Sequence, residues 1–161
     1  MSDRSRSPIK LALAVGLTLA ALPASGCRGF SATPPAGFAV FATPWWQIAH
    51  DFRAVSPDGV LFRIRRADHE PKAELAFWKE ALKKRMNDAG YAVQSERDVK
   101  ADGKTGYLLE LAAPLGQQDY SYVLAVFDQG RHLVVAESAG EVTRFNARRA
   151  DVLAAIENID L

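Results

Sequence analysis

The order of apolar and polar residues predicts β-strands over much of the chain. The run VLFRIRR alternates, with Val60, Phe62 and Ile64 on one side and Arg63 and Arg65 on the other. Neighbouring side chains of a strand point to opposite faces, so this pattern predicts a strand with one buried and one solvated face. The apolar runs FAVFA and HDFRAVS precede it and predict two further strands.

Turn sequences between these runs predict antiparallel neighbours. The turn SPDG at residues 56–59 places Pro57 at the first central position and Gly59 where a positive φ is tolerated, so a hairpin is expected there. Four more strand-like runs follow, separated by turns in which Gly accompanies Asp or Pro. These runs are YAVQSERDV, TGYLLELAA, DYSYVLAVF and HLVVAES.

Two segments show the three- and four-residue apolar spacing of a helix. The stripe of PKAELAFWKEALKKRMNDAGY consists of Leu75, Trp78, Leu82, Met86 and Ala89, widened by Phe77 and Ala81. The apolar side of EVTRFNARRADVLAAIENIDL consists of Phe145, Val152, Leu153, Ile156 and Ile159. Ser138 and Glu141 are three positions apart and fit a capping box for this second helix, although its start could lie several residues later.

The predicted element order is β-β-β-α-β-β-β-β-α, with no internal repeat. This order predicts an α+β fold for residues 38–161: one domain with an antiparallel sheet flanked by two main helices, an α/β/α sandwich. The element order, together with SPDGVLFRIR before a helix that carries FWKEAL and ends in GY, resembles the PsbP/Mog/DcrB group. Members of that group are mostly accessory proteins, so the resemblance implies a non-enzymatic interaction domain.

The first 26 residues have the order of an export signal. Arg4, Arg6 and Lys10 precede the uncharged run LALAVGLTLAAL, which Pro23 ends after 12 residues. A membrane-spanning helix needs about 20 apolar residues, so this run is too short to span comfortably. We therefore predict a signal peptide over residues 1–26.

Cys27, the only cysteine of the chain, follows this leader directly. The stretch Ala24-Ser25-Gly26-Cys27 resembles the bacterial lipobox, in which the cysteine is acylated and becomes the new N-terminus. Ala24 stands where a lipobox usually has Leu. The alternatives are a buried free thiol and an intermolecular disulfide. Lipoproteins of this class carry several acyl chains, and two or more chains hold a protein stably on a membrane.

Residues 28–37, RGFSATPPAG, have the Pro, Gly, Ser and Thr content of a linker, so residues 27–37 are predicted to be an acylated cysteine with its tether. Arg28 is not the Asp that favours inner-membrane retention in enteric bacteria. The resemblance to a lipobox therefore implies a bacterial cell-envelope protein, anchored in the outer membrane and facing the periplasm.

Charge argues against a nucleic-acid partner. The chain carries a formal net charge of +1 and its first 26 residues carry +2, so residues 27–161 carry −1. A nucleic-acid binder normally shows a basic stripe, and none is present. Bulk charge therefore gives no reason to expect a strongly acidic or basic partner.

No motif points to catalysis, a metal or a cofactor. Asp68, His69 and Glu70 are consecutive and therefore poorly spaced to converge on one ion, so a solvated turn is the simpler interpretation. No serine lies in a G-x-S-x-G elbow that could join His50, His69 or His132. We predict no catalytic residue, no metal and no cofactor.

The pair Trp45-Trp46 follows Pro44 and is the most conspicuous apolar feature outside the helices. In a strand the two rings would point to opposite faces, so one could be exposed to a protein partner or to lipid headgroups. Alternatively, both rings pack within the fold.

Three functions remain open at this point. The first is a non-enzymatic accessory or protein-interaction module anchored to the membrane. The second is a carrier or sensor of an apolar small molecule or lipid, which needs a cavity between sheet and helix that Trp78, Phe62, Leu82 and Phe145 could instead fill. The third, a hydrolase, needs a histidine close to a serine or carboxylate in a cleft.

Overall fold

The structure is a computed structural model that describes residues 29–42, 51–115 and 118–161. These residues form one seven-stranded sheet and two helices in the predicted order, and every strand pairing is antiparallel. The strands are β1 Ala39–Val40, β2 Asp51–Val55, β3 Leu61–Asp68, β4 Ala92–Ala101, β5 Lys104–Leu115, β6 Gln118–Asp128 and β7 His132–Glu141. The helices are α1 Leu75–Asp88 and α2 Val142–Glu157. The spatial order of the strands is β1-β2-β3-β7-β6-β5-β4.

The predicted hairpin at SPDG joins β2 to β3. The Ser56 N–H donates to the carbonyl of Val60 at 2.9 Å, and the buried Ser56 hydroxyl accepts from the Val60 N–H at 2.9 Å. Gly59 has a φ of +88°, a conformation that side-chain-bearing residues rarely adopt. The structure therefore contains the hairpin turn that the sequence predicts at residues 56–59.

Helix α2 covers one face of the sheet and helix α1 the other, as the fold class predicts. Alternate residues of β6 show this: Val123, Ala125 and Phe127 belong to the cluster under α2, whereas Leu124 and Val126 face α1. The α2 layer is the more completely buried one. It buries Phe145, Val152, Ala155 and Ile156 of the helix, and no residue of α1 is fully buried.

The capping box proposed for α2 is wrong. Ser138 lies within β7, and its hydroxyl donates to the carbonyl of Leu61 at 2.7 Å. Glu141 is itself the N-cap, because its carboxylate accepts from the N–H groups of Thr143 and Arg144 at 3.0 and 3.2 Å. These hydrogen bonds lower the pKa of Glu141, since they favour the charged carboxylate.

The segment with linker composition lies against the domain. We call residues 30–38 the strap. Phe30 and Phe38 are only 5 % and 8 % exposed and belong to the core cluster under α2, and Pro35 is buried. The composition of this segment therefore gave no indication of its packing.

Candidate functional site

A cleft between α1 and the sheet is the most ligand-like feature of the described residues. Its volume is about 290 Å³. Its walls are mainly apolar, with Trp78, Leu82 and Met86 contributed by the helix and Leu124, Val126, Leu133 and Val135 by the sheet. An apolar concavity of nearly 300 Å³ is at the lower end of the range for small-molecule sites.

The cleft exists because α1 is held towards one edge of the sheet. The Lys79 ammonium lies 2.6 Å from the carboxylate of Asp98 on β4, and the Lys83 ammonium lies 3.0 Å from that of Glu96. On this side Leu75, Leu82 and Met86 of the helix pack against β5, where Tyr107, Leu109 and Leu111 are buried. Beside the helix, Leu124 and Val126 of β6 and Leu133 and Val135 of β7 line the cleft and are 2–5 % exposed.

The four large side chains that could have filled this space lie in two layers. Trp78 and Leu82 line the cleft, whereas Phe62 and Phe145 pack together in the cluster under α2. Because the sheet separates the two pairs, the helix side chains alone do not close the gap. The structure thus provides the cavity that the carrier hypothesis requires.

Charged groups stand at the rim of the cleft. The Arg65 guanidinium lies 3.4 Å from the carboxylate of Glu137, which also accepts a hydrogen bond from the Tyr122 hydroxyl at 2.8 Å. Burial and the Glu137 charge raise the pKa of Tyr122, so this hydroxyl remains a donor. Arg85 is exposed at the rim, and its guanidinium has no ion-pair partner within the described ranges.

The indole of Trp78 carries a polar group without a partner. Its Nε1–H is buried and has no hydrogen-bond acceptor among the residues that the structure describes. The ring packs against His69 and Phe77, with centroids 5.9 and 5.4 Å away. A buried donor left unpaired costs about 1–3 kcal/mol, and such groups are uncommon in proteins.

His69 is buried, so the expectation of a fully solvated turn at residues 68–70 is wrong for this residue. Its Nδ1 lies 3.0 Å from the Gly130 carbonyl and 3.2 Å from the Asp128 carboxylate. Its Nε2 lies 2.8 Å from the Ala73 carbonyl and 3.2 Å from the Ala73 N–H. Both ring nitrogens are therefore occupied by contacts that join the β3–α1 connection to the β6–β7 turn.

His132 is 31 % exposed at its side chain, and its Nδ1 lies 4.0 Å from the Asp68 carboxylate. That separation is longer than a hydrogen bond. No group of three or more His, Cys, Asp or Glu side chains within residues 29–42, 51–115 and 118–161 could hold a metal ion. In the same part of the chain, no helix is long and apolar enough to cross a membrane.

The residues singled out from the sequence as sites lie outside the described ranges: Cys27, Trp45, Trp46 and also His50. Val40 and Phe41, shortly before the tryptophan pair, are 51 % and 47 % exposed. The carrier hypothesis required a cavity between sheet and helix, but neither its lining residues nor Arg85 at its rim were singled out as a site, because a helical apolar stripe is ordinarily core. The sequence feature that comes closest to indicating this site is the row of cations Lys83, Lys84 and Arg85, which follows Trp78 and Leu82 along the same helix.

No family model matches the sequence, and no curated protein matches it. Solved structures do share its fold. Cyanobacterial PsbP from Synechocystis sp. PCC 6803 aligns with a TM-score of 0.56 at 11 % identity, over 89 % of this chain and 98 % of its own. LpqN of Mycobacterium tuberculosis, involved in cell envelope biogenesis, aligns with a TM-score of 0.59 at 8 % identity, over 82 % of this chain and 83 % of its own.

A protein of unknown function from Pseudomonas aeruginosa aligns with a TM-score of 0.57 at 12 % identity, over 76 % of this chain and 95 % of its own. The chain has a PsbP-like fold. At these identities the similarity establishes the fold alone. This fold agrees with the one implied by the resemblance of the element order to the PsbP/Mog/DcrB group.

Proposed function

We propose that this protein is a bacterial cell-envelope lipoprotein, anchored through acyl chains on Cys27, whose domain is a non-enzymatic accessory or protein-interaction module. The observation that carries the proposal is the position of Cys27. It directly follows an apolar leader and stands three residues before Phe30, the first buried residue of the described chain. A thiol at this junction can join the folded domain to a membrane without a further segment.

The contacts of the histidines support a non-enzymatic role. General base catalysis requires a nitrogen that can reach the proton of a nucleophile or water. Both nitrogens of the buried His69 contact main-chain groups, its Nδ1 also lies 3.2 Å from the Asp128 carboxylate, and the Nδ1 of His132 lies 4.0 Å from the Asp68 carboxylate. His69 therefore has no unoccupied ring nitrogen that could serve as a general base.

The residue after Cys27 supports one of the two membranes of the envelope. Arg28 in place of Asp supports outer-membrane placement with the domain in the periplasm. LpqN, which shares the fold, is involved in cell envelope biogenesis, and this supports an envelope role here. Separating inner and outer membranes on a density gradient tests the placement.

Replacing Cys27 tests the anchor. In cells fed a clickable fatty acid, the native protein should become labelled and sediment with membranes. Cys27→Ser should lose the label and appear in a soluble fraction. Ser25→Ala is the matched control, since it keeps a small residue before the cysteine and should remain labelled. Equal labelling of native protein and Cys27→Ser would refute the anchor.

We place the protein-partner contact near Trp45 and Trp46. Val40 and Phe41 of the adjoining described segment each expose about half of their surface, and exposed aromatic and aliphatic side chains favour interfaces. A photo-crosslinking residue at position 45 or 46 in intact cells should capture a discrete protein. The same residue at Ala76, on the exposed side of α1, should not.

The cleft supports a second candidate function, the carriage or sensing of an amphiphile. Its apolar walls fit a hydrocarbon chain, and Arg85 at the rim would pair with an anionic head such as a carboxylate. The buried Trp78 N–H is a further donor in its wall. Titration with a fluorescent fatty acid should give saturable binding that weakens in Arg85→Ala.

A further inference from the structure

The strap is attached to the domain at its first residues. The Ser31 N–H donates to the Asp160 carbonyl at 3.0 Å, and the Asp160 N–H donates back to the Ser31 carbonyl at 3.0 Å. The Ser31 hydroxyl donates to the Asp160 carboxylate at 2.7 Å. Phe30, one position earlier, is 5 % exposed within the core cluster.

The strap is also attached at its other end. Phe38 is 8 % exposed, and its N–H donates to the carbonyl of the buried Pro35 at 3.1 Å. The next residue, Ala39, pairs with Val55 in the sheet. Because both ends are fixed, the strap moves with the domain as one body.

The strap begins at one particular end of the sheet, which we call the near end. The register places the β4–β5 turn and the β6–β7 turn there, because Gly106 pairs with Phe127 and Asp128 with Leu133. The Leu161 N–H donates to the Asp102 carboxylate in the β4–β5 turn at 3.3 Å, which brings residues 160–161, and with them Ser31, to this end.

The opposite end of the sheet, the far end, holds the SPDG turn, the α1–β4 connection and the start of α2. Val55 pairs with Leu61 at this end, and Ala92 pairs with Ala112. The 12 residues of β5 run between the two ends. At about 3.3 Å per residue, near and far ends are roughly 35–40 Å apart.

The length of chain before the strap limits where an anchor can lie. Only Arg28 and Gly29 separate Cys27 from Phe30. At 3.3–3.6 Å per residue, the Cα of Cys27 lies at most about 11 Å from that of Phe30. This distance is about a third of the separation between the two ends of the sheet.

We propose that the strap fixes the orientation of the anchored domain, with its near end against the lipid headgroups and its far end directed away from the bilayer. The inference rests on acylation of Cys27. A flexible linker would let every face meet the membrane, whereas here a reversal of the domain would require Phe30 to leave the core and Ser31 to leave Asp160. The near end is thus a lipid-contacting surface.

Quenching by lipid headgroups tests this orientation in the full acylated protein. Acylation of the only cysteine leaves a single reactive thiol in each of Lys104→Cys and Asn87→Cys. Lys104 is exposed at the near end and Asn87 at the far end. A fluorophore on each thiol is measured in phosphatidylethanolamine and phosphatidylglycerol vesicles with a nitroxide on the headgroup. Quenching at position 104 should exceed that at position 87 several-fold.

A flexible Gly/Ser insertion of about ten residues between Gly29 and Phe30 provides the control, because it lengthens the tether and leaves the strap and the fold intact. The insertion should abolish the difference between the two positions. Equal quenching at positions 104 and 87 in vesicle-bound protein without the insertion would overturn the orientation alone. Failure of the protein to float with vesicles would overturn the anchor, and the orientation with it.

Discussion

Ser31 and Asp160 are 129 positions apart in the chain, yet they exchange two backbone hydrogen bonds of 3.0 Å and share a third between their side chains. This pairing joins the first described residues to those that follow α2. Together with the burial of Phe30, it makes residues 30–38 part of the domain. Cys27, the proposed anchor, is therefore only three residues from the folded domain.

Removing the Phe30 ring should destabilise the domain. Phe30→Ala should lower the free energy of unfolding by about 3 kcal/mol, because a buried aromatic ring is lost, and Phe30→Leu by less than about 1.5 kcal/mol. Urea unfolding followed by circular dichroism measures both. Phe77→Ala is the matched control, since Phe77 is 50 % exposed and its loss should cost less than about 1 kcal/mol. Equal costs at positions 30 and 77 would show that the strap does not stabilise the fold.

His69 should be needed for stability. His69→Ala leaves the Gly130 carbonyl and the main chain of Ala73 without their partner, so unfolding should become easier by about 2–3 kcal/mol. His132→Ala should cost less than about 1 kcal/mol, because its Nδ1 already lacks a partner among the described residues. Thermal unfolding compares the two variants. Similar melting temperatures would contradict the role given to His69.

Filling the cleft should weaken ligand binding without lowering the stability of the fold. Ala67 lines the cleft from β3, so Ala67→Leu places extra methyl groups in the space. Fatty-acid binding should weaken several-fold, while the free energy of unfolding stays equal or rises by about 0.5–2 kcal/mol. Ala76→Leu, on the exposed side of α1, should change neither. Unaltered binding in Ala67→Leu would exclude the cleft as the ligand site.

Acid should weaken the contact between α2 and the sheet at Glu110. Its carboxylate accepts a hydrogen bond from Arg149 Nε at 2.7 Å, and this bond lowers the pKa of Glu110 below its ordinary value near 4.5. The resulting stabilisation is complete above the unfolded-state pKa and is lost as the pH falls through the folded-state pKa. Between about pH 5 and pH 3, Glu110→Gln should therefore lose less stability than the native protein.

Urea midpoints at each pH measure this difference. Glu74→Gln is the control, because Glu74 lies exposed before α1 and its side chain does not cap the helix. The stability of Glu74→Gln should fall with decreasing pH as steeply as that of the native protein. If the stability of Glu110→Gln also fell as steeply as that of the native protein, the Arg149 contact would not contribute to acid sensitivity.

Local patterns predicted the strands and helices well because their causes are local. Alternation in VLFRIRR places Phe62 and Ile64 on the buried face, where both are at most 1 % exposed. The stripe of α1 was also correct for Leu75, Trp78, Leu82 and Met86, which pack towards the sheet. Its outlying member Ala89 and the flanking Phe77 are exposed.

Features that depend on distant partners were missed. Nothing in RGFSATPPAG indicates that Phe30 enters a core or that Ser31 meets Asp160, because the pairing residues come at the other end of the sequence. His69 looked solvated among charged neighbours, but Gly130 and Ala73 supply its partners. The spacing of Ser138 and Glu141 fitted a capping box, yet sheet pairing with β3 takes Ser138 into β7. The cleft depends on how α1 sits over the sheet, and a stripe of side chains does not show that.

The mass of the N-terminal peptide of the mature protein, isolated from membranes of its native host, tests the central claim most directly. The account predicts that the chain begins at Cys27 and that this peptide carries the added mass of acyl chains. An unmodified thiol at Cys27, or a mature chain that begins at another residue, would contradict the anchor on which both the function and the orientation rest.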